Sequence, residues 1–245
     1  MKDLFSNHSE EYAQFRPSYP KVLFDFVVSH CKGKESAWDC ATGNGQVAGH
    51  LSNYFKKVEA TDISEKQLEN AITRPNVYYS KQSAENTIFP DQHFDLITVG
   101  QAIHWFDFKG FYKEVNRTGK KDSLLLVLGY GKLSAAPELD GVIDELYRDI
   151  LEPYWEPERK YIDEKYLTIP FPFKEIKTPE FKNSINWKID QLIGYLNTWS
   201  AVKKYIQLNV QNPVNLVSEK LKVCWGSEVE RKIEFPLLVR LGKIH

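Results

Sequence analysis

The stretch Ala37–Leu51, AWDCATGNGQVAGHL, constrains this chain more than any other. An apolar run leads into small residues at alternate positions, Ala41, Gly43 and Gly45, after which helical spacing begins at Gln46. Such a strand–turn–helix brings bare backbone close to a ligand and aims a helix N-terminus at its electronegative groups. The flanking pattern agrees with an α/β chain. Ser36–Ala41, Val58–Thr61, Val77–Lys81, Phe94–Val99 and Ser123–Leu128 read as strands. Helices are expected between them at about Gln46–Phe55, Glu65–Ile72 (with Ser64 as N-cap) and Phe106–Val115. Near-continuous apolar strands separated by helices predict a parallel sheet covered on both faces.

The second half has a different texture. Ala135–Leu151 has helical spacing, whereas Pro153 to Pro179 is rich in proline and aromatics and has no clear period. A strand is expected at Phe181–Trp187 and helices at Ile189–Trp199, Val202–Leu208 and Val214–Val223. The closing strand, Val229–Leu241, contains Pro236, which marks an edge or a bulge. We read residues 1–245 as one domain. Residues 1–35 form an arm and first helix, 36–130 the ligand-binding core, 131–228 a helical cap with an edge strand, and 229–245 the final strand.

Charge and cysteine usage narrow the class. The 32 basic and 33 acidic side chains leave a formal charge of −1. That balance argues against a general footprint for nucleic acid or an anionic membrane. Cys31, Cys40 and Cys224 have neither disulfide-framework nor zinc-ligand spacing, so no metal site is expected. The N-terminal MKDLFSNHSEEY lacks the apolar run of a signal peptide, and no stretch approaches a membrane span. A cytoplasmic protein, monomeric or homodimeric, is expected.

Asp62 follows Gly45 by seventeen residues, at the end of the second strand. An acidic residue there can accept both ribose hydroxyls of an adenosine-containing ligand. Three readings of the turn compete: an ordinary tight turn, a nicotinamide or flavin site matching the loose Gly43-x-Gly45-x-x-Ala48 fingerprint, and an S-adenosylmethionine (SAM) site. Two features favour SAM. Asp39 precedes the turn where a pyrophosphate would be repelled but a zwitterionic methionine tail would not, and the second half lacks a second βαβαβ unit for a nicotinamide.

The order of several blocks carries a resemblance. AWDCATGNGQVA resembles motif I of class I methyltransferases, with Ala41 at the usual first glycine. ATDISEKQLENA (Ala60–Ala71), SAEN (Ser83–Asn86) and FPDQHFDLIT (Phe89–Thr98) resemble the blocks that follow it. HSEEYAQFRPSYP (His8–Pro20), GQAIHWFD (Gly100–Asp107) and TWSAVKKY (Thr198–Tyr205) are similar to type 11 methyltransferases of the trans-aconitate methyltransferase-like group. The resemblance implies a Rossmann-like, mostly parallel seven-stranded sheet with helices on both faces and a helical cap. It implies that Ala41–Gly45 lies against the methionine end of SAM. Asp62 would hold the ribose, Ile63 the adenine face, and Ser83 and Ala84 the adenine edge. Arg16, between Tyr12 and Tyr19, is implied to clamp the SAM carboxylate. Gln67 and Glu85 have ordinary helix or turn readings beside a cofactor-binding one.

Gln101, Ala102, His104 and Trp105 follow the fourth strand, at the edge where ligands bind in open α/β sheets. Trp105, Trp199 and Tyr19 are candidate walls of the acceptor pocket. His104 is the candidate catalytic residue: a hydroxyl acceptor would need a base, whereas a carboxylate (reference pKa about 4) would not. The family leans toward O-methylation of small carboxylic acids. Two rivals stand beside this reading: a non-catalytic SAM-binding protein and an NAD-type oxidoreductase.

Overall fold

The computed structural model describes residues 17–244. Helix α1 (Lys21–Ser29) precedes β1 (Ser36–Cys40), α2 (Gln46–Leu51), β2 (Lys57–Asp62), α3 (Glu65–Glu69) and β3 (Val77–Lys81). Strand β4 (Phe94–Gly100) is followed by a 3-10 turn at Ile103–Trp105, α4 (Phe108–Thr118) and β5 (Gly119–Tyr130). Neighbours in the sheet run β3-β2-β1-β4-β5-β8-β6, with β6 at Lys174–Ile176 and β8 at Arg231–Lys243. The first five of these strands pair in parallel, and β8 runs antiparallel to β5.

Alternation decides which side chains fill which face. Ala37, Leu96, Leu124 and Leu126 enter one apolar cluster with α1 and α2. Their chain neighbours Trp38, Ile97, Leu125 and Val127 enter another with α4. Every residue of β1 is buried, as expected of a strand covered on both sides. Helix α4 turns Phe111, Tyr112, Val115 and Thr118 inward. Its N-cap is Asp107, whose carboxylate accepts from Lys109 and Gly110 N–H, so this helix begins two residues later than the sequence pattern suggests. Helices α2 and α3 are also shorter than expected, ending at Leu51 and Glu69.

Seven strands lie in line, and an eighth, β7 (Lys182–Trp187), pairs off that line. The first half of β8 pairs with β7 and the second half with β5 and β6. Pro236 sits where the partner changes, which is how a strand interior tolerates a residue without an N–H. Between β5 and β8 the chain forms α5 (Pro137–Asp144), running into a π turn at Glu145–Ile150, then α6 (Lys160–Asp163), α7 (Ile189–Asn197), α8 (Ser200–Asn209) and α9 (Ser218–Trp225). Leu139, Leu146, Leu192, Val202 and Leu221 from this region join the cluster that contains α1. No helix among the described residues is long and apolar enough to cross a membrane.

Candidate functional site

The strand order reverses between β1 and β4, which opens a crevice at their carboxyl ends. The glycine turn lies there. Ala41, Gly43 and Gly45 all take positive φ, at 53°, 56° and 82°. The two glycines differ in their surroundings. Among the described residues, a side chain on Gly43 would meet only the Gln67 amide oxygen, 3.8 Å from its Cβ, whereas one on Gly45 would come within 2.2 Å of the Tyr79 hydroxyl. Gly43 is therefore bare toward open space, and Gly45 is bare because Tyr79 fills the position.

Two carboxylates hold this turn. Asp62 accepts from Gly43 N–H and from Ser64 N–H, each at 2.9 Å, so its position at the end of β2 is fixed by backbone. Asp39 is 1% exposed. It accepts from the Thr42 hydroxyl at 2.5 Å, Ala48 N–H at 3.0 Å and the Thr98 hydroxyl at 2.8 Å. Burial pushes its carboxyl up to about 6 against these three hydrogen bonds. The Asp39 side chain thus ties turn, helix and β4 together from beneath. Thr42 and Thr98 complete the tie, and only their small polar character in apolar surroundings could have flagged them.

The other expected contacts surround this crevice. Ile63 is half-buried and Gln67 is buried beside Gly43, so Gln67 does not lie on a solvated helix face. Ala84 is buried, and the Ser83 hydroxyl donates to Asn86 C=O at 3.4 Å. Glu85 accepts from Asp107 N–H at 3.3 Å, linking this loop to the start of α4. Gln101, with φ of 55°, brackets Tyr130: its amide oxygen accepts from Tyr130 N–H at 2.8 Å and its Nε2 donates to Tyr130 C=O at 3.3 Å. Ala102 is buried beside it. Tyr12 and Arg16 lie outside the described residues.

The remaining candidates sit among aromatic side chains. Tyr19 is buried against Tyr130, at 6.3 Å between ring centroids, and reaches the end of β4 at Gly100. His104 is buried between Trp105 and Tyr166, with Nδ1 3.2 Å from the Tyr166 hydroxyl. Burial, reinforced by the Arg159 cation, lowers its pKa to about 3. The imidazole is therefore neutral at physiological pH. Trp199 is buried behind Tyr147 and Trp155, at centroid distances of 5.5 and 5.7 Å. Trp155, Arg159 and Tyr166 come from the stretch without a clear period and Tyr147 from the helical stretch before it, and none was singled out by motif.

Known proteins share this sequence pattern and fold. The family described as a methyltransferase domain matches residues 38–127. A Dictyostelium discoideum protein named as a candidate methyltransferase is 34% identical over 98% of this chain and 95% of its own length. The chain belongs to the methyltransferase family. A solved structure of a candidate type II methyltransferase from Anaeromyxobacter dehalogenans superposes with a TM-score of 0.88 at 34% identity, covering 94% of this chain and 98% of that one. A candidate methyltransferase of Bacillus halodurans shares the fold at 18% identity and a TM-score of 0.51, over 91% and 96% of the two chains. The sheet is the Rossmann-like one of that family.

Proposed function

We propose that this chain uses SAM to methylate a small molecule bearing a carboxylic acid, releasing S-adenosylhomocysteine. The observation that carries the reading is the pairing of Gly43, bare toward open space, with Asp62, whose carboxylate is oriented by two backbone donors. The turn at Ala41–Gly45, Asp62, Ile63, Gln67, Ser83 and Ala84 would hold the cofactor, together with Tyr12 and Arg16 from the arm. When bound there, SAM would supply an electrophilic methyl group to the acceptor oxygen.

The chain's own contribution is to bind, orient and exclude water. His104 bears on the acceptor class. An imidazole whose conjugate acid has a pKa near 3 is a poor proton acceptor. An acceptor already ionised at neutral pH needs none, which favours a carboxylate over an alcohol or phenol. Family membership favours methyl transfer over hydride transfer on the same turn.

Calorimetry with SAM and S-adenosylhomocysteine tests cofactor binding, with micromolar affinity expected; absence of heat with either ligand on folded protein would refute the reading. Incubation with a metabolite extract, followed by mass spectrometry, tests turnover. Binding without release of S-adenosylhomocysteine would instead mark a non-catalytic SAM-binding protein.

A further inference from the structure

A cavity of about 700 Å³ opens where the chain leaves β5, lined by Gly131 and Lys132 on one side and by residues 147–165 on the other. Its lining carries five basic side chains against three acidic ones. The basic groups are not equivalent. Lys132 is bonded to Asp144, and Arg148, which lies 3.5 Å from the same carboxylate, is 72% exposed. Arg159 is only 19% exposed. Its guanidinium stacks on Trp155 and Tyr147, at 4.7 and 5.2 Å from the ring centroids. Its Nε donates to the Tyr147 hydroxyl at 2.8 Å and lies 3.8 Å from Asp163. The terminal nitrogens, Nη1 and Nη2, donate to no group among the described residues.

That arrangement is a preorganised anion receptor. Stacking fixes the guanidinium plane and Nε is held by Tyr147, which leaves Nη1 and Nη2 as two parallel donors in the geometry that fits a carboxylate. It also stands beside the candidate reacting centre, because the turn at Pro157–Arg159 packs on the turn at Ile103–Trp105 that carries His104. The cavity lies at the end of β5 and against the middle of β8, and the glycine turn lies after β1; β4 stands between β1 and β5 in the sheet.

Building on the methyltransferase reading above, we propose that this cavity is the acceptor site and that Arg159 is its specificity-determining residue, holding a carboxylate of the acceptor. Arg159 positions and selects; the methyl group does not pass through it. The aromatic stack and the Tyr147 bond are the means of holding the fork rigid.

The test uses the full chain as parent, Arg159→Lys and Arg159→Gln, each saturated with S-adenosylhomocysteine. Succinate, citrate and benzoate are titrated by ligand-observed NMR, with succinamide and benzamide as uncharged controls. At least one carboxylate should bind the parent saturably and at least tenfold more tightly than the uncharged controls. Arg159→Gln should weaken it at least tenfold and Arg159→Lys by less, while affinity for S-adenosylhomocysteine stays within about twofold in all three. Equal binding of acid and amide, unchanged affinity in Arg159→Gln, or no saturable carboxylate binding by the parent would overturn the proposal. The titrations are repeated without S-adenosylhomocysteine. A parent that takes carboxylate but no S-adenosylhomocysteine would refute the SAM reading and leave Arg159 as an anion site.

Discussion

Thr98 on β4 donates its hydroxyl to Asp39 on β1 at 2.8 Å, and the two residues are register partners across the boundary where strand order reverses. The crevice floor is therefore cross-linked by a carboxyl group that burial has pushed up to about 6. A folded-state pKa above the unfolded value of about 3.9 means that the native state binds the extra proton. Stability contributed by Asp39 is full below about pH 4 and is lost as pH rises to about 6, by roughly 3 kcal/mol. Asp39→Asn should abolish that component. Urea unfolding of parent and variant between pH 4 and 7 checks it: the parent's stability should decline relative to the variant across this window, and parallel curves would contradict the assignment.

Gly43 and Gly45 should respond differently to alanine. Both adopt left-handed φ, which costs a non-glycine residue roughly 1–2 kcal/mol. Gly45→Ala adds the Tyr79 collision and should lose clearly more stability than Gly43→Ala. Gly43→Ala should fold with a modest loss but bind S-adenosylhomocysteine poorly, because its methyl group enters the open side of the turn. Chemical denaturation and calorimetry on the two variants separate these effects.

Asp62→Ala should weaken S-adenosylhomocysteine binding at least tenfold. Hydrogen bonds to a charged group are worth about 1.5–3 kcal/mol each, and the same substitution frees Gly43 N–H from its tether. Equal affinities in variant and parent would remove Asp62 from the cofactor site.

His104 should not titrate between pH 5 and 8. Its folded pKa, at about 3, lies below the ordinary histidine value, so it contributes stability that is present above about pH 6.5 and declines as pH falls toward 3. NMR of the ring should show a neutral imidazole throughout the neutral range. With an acceptor in hand, His104→Gln should cost less than about a hundredfold in kcat/KM, below the effect typical of a lost general base. A larger loss with a matching acidic limb would point to a hydroxyl acceptor.

The parallel core was legible because its signals are local. β1, β4 and β5 contain apolar runs, β2 and β3 are short segments bounded by turns, and Ser64 caps α3 through its hydroxyl as its position before Glu65 suggests. β6 was not legible: Lys174, Glu175 and Ile176 form a strand only because Leu241–Lys243 offers a partner some seventy residues away. Arg159 and Tyr166 sit in a proline- and aromatic-rich segment without period. Tyr166 takes a φ of 61° while its carbonyl accepts from Arg240 at 3.0 Å, a long-range constraint that no local pattern announces. At the site, the sequence marks which residues are small or acidic, but only the packing distinguishes Asp39, turned inward, from Asp62, at the crevice.

Tyr130 and Leu237 are register partners, and Gly131 N–H donates to Pro236 C=O at 2.9 Å. The segment from 131 to 236 therefore begins and ends at a single rung of the β5–β8 pair, and β6 and β7 within it add to the sheet through β8. A loop stapled at its base behaves as a cassette: doubling its length costs only about 0.6 kcal/mol of closure entropy. Its contents can be exchanged while β5 and β8 stay in register, so the part of the molecule that would choose an acceptor is free to diverge without disturbing the part that would hold the methyl donor.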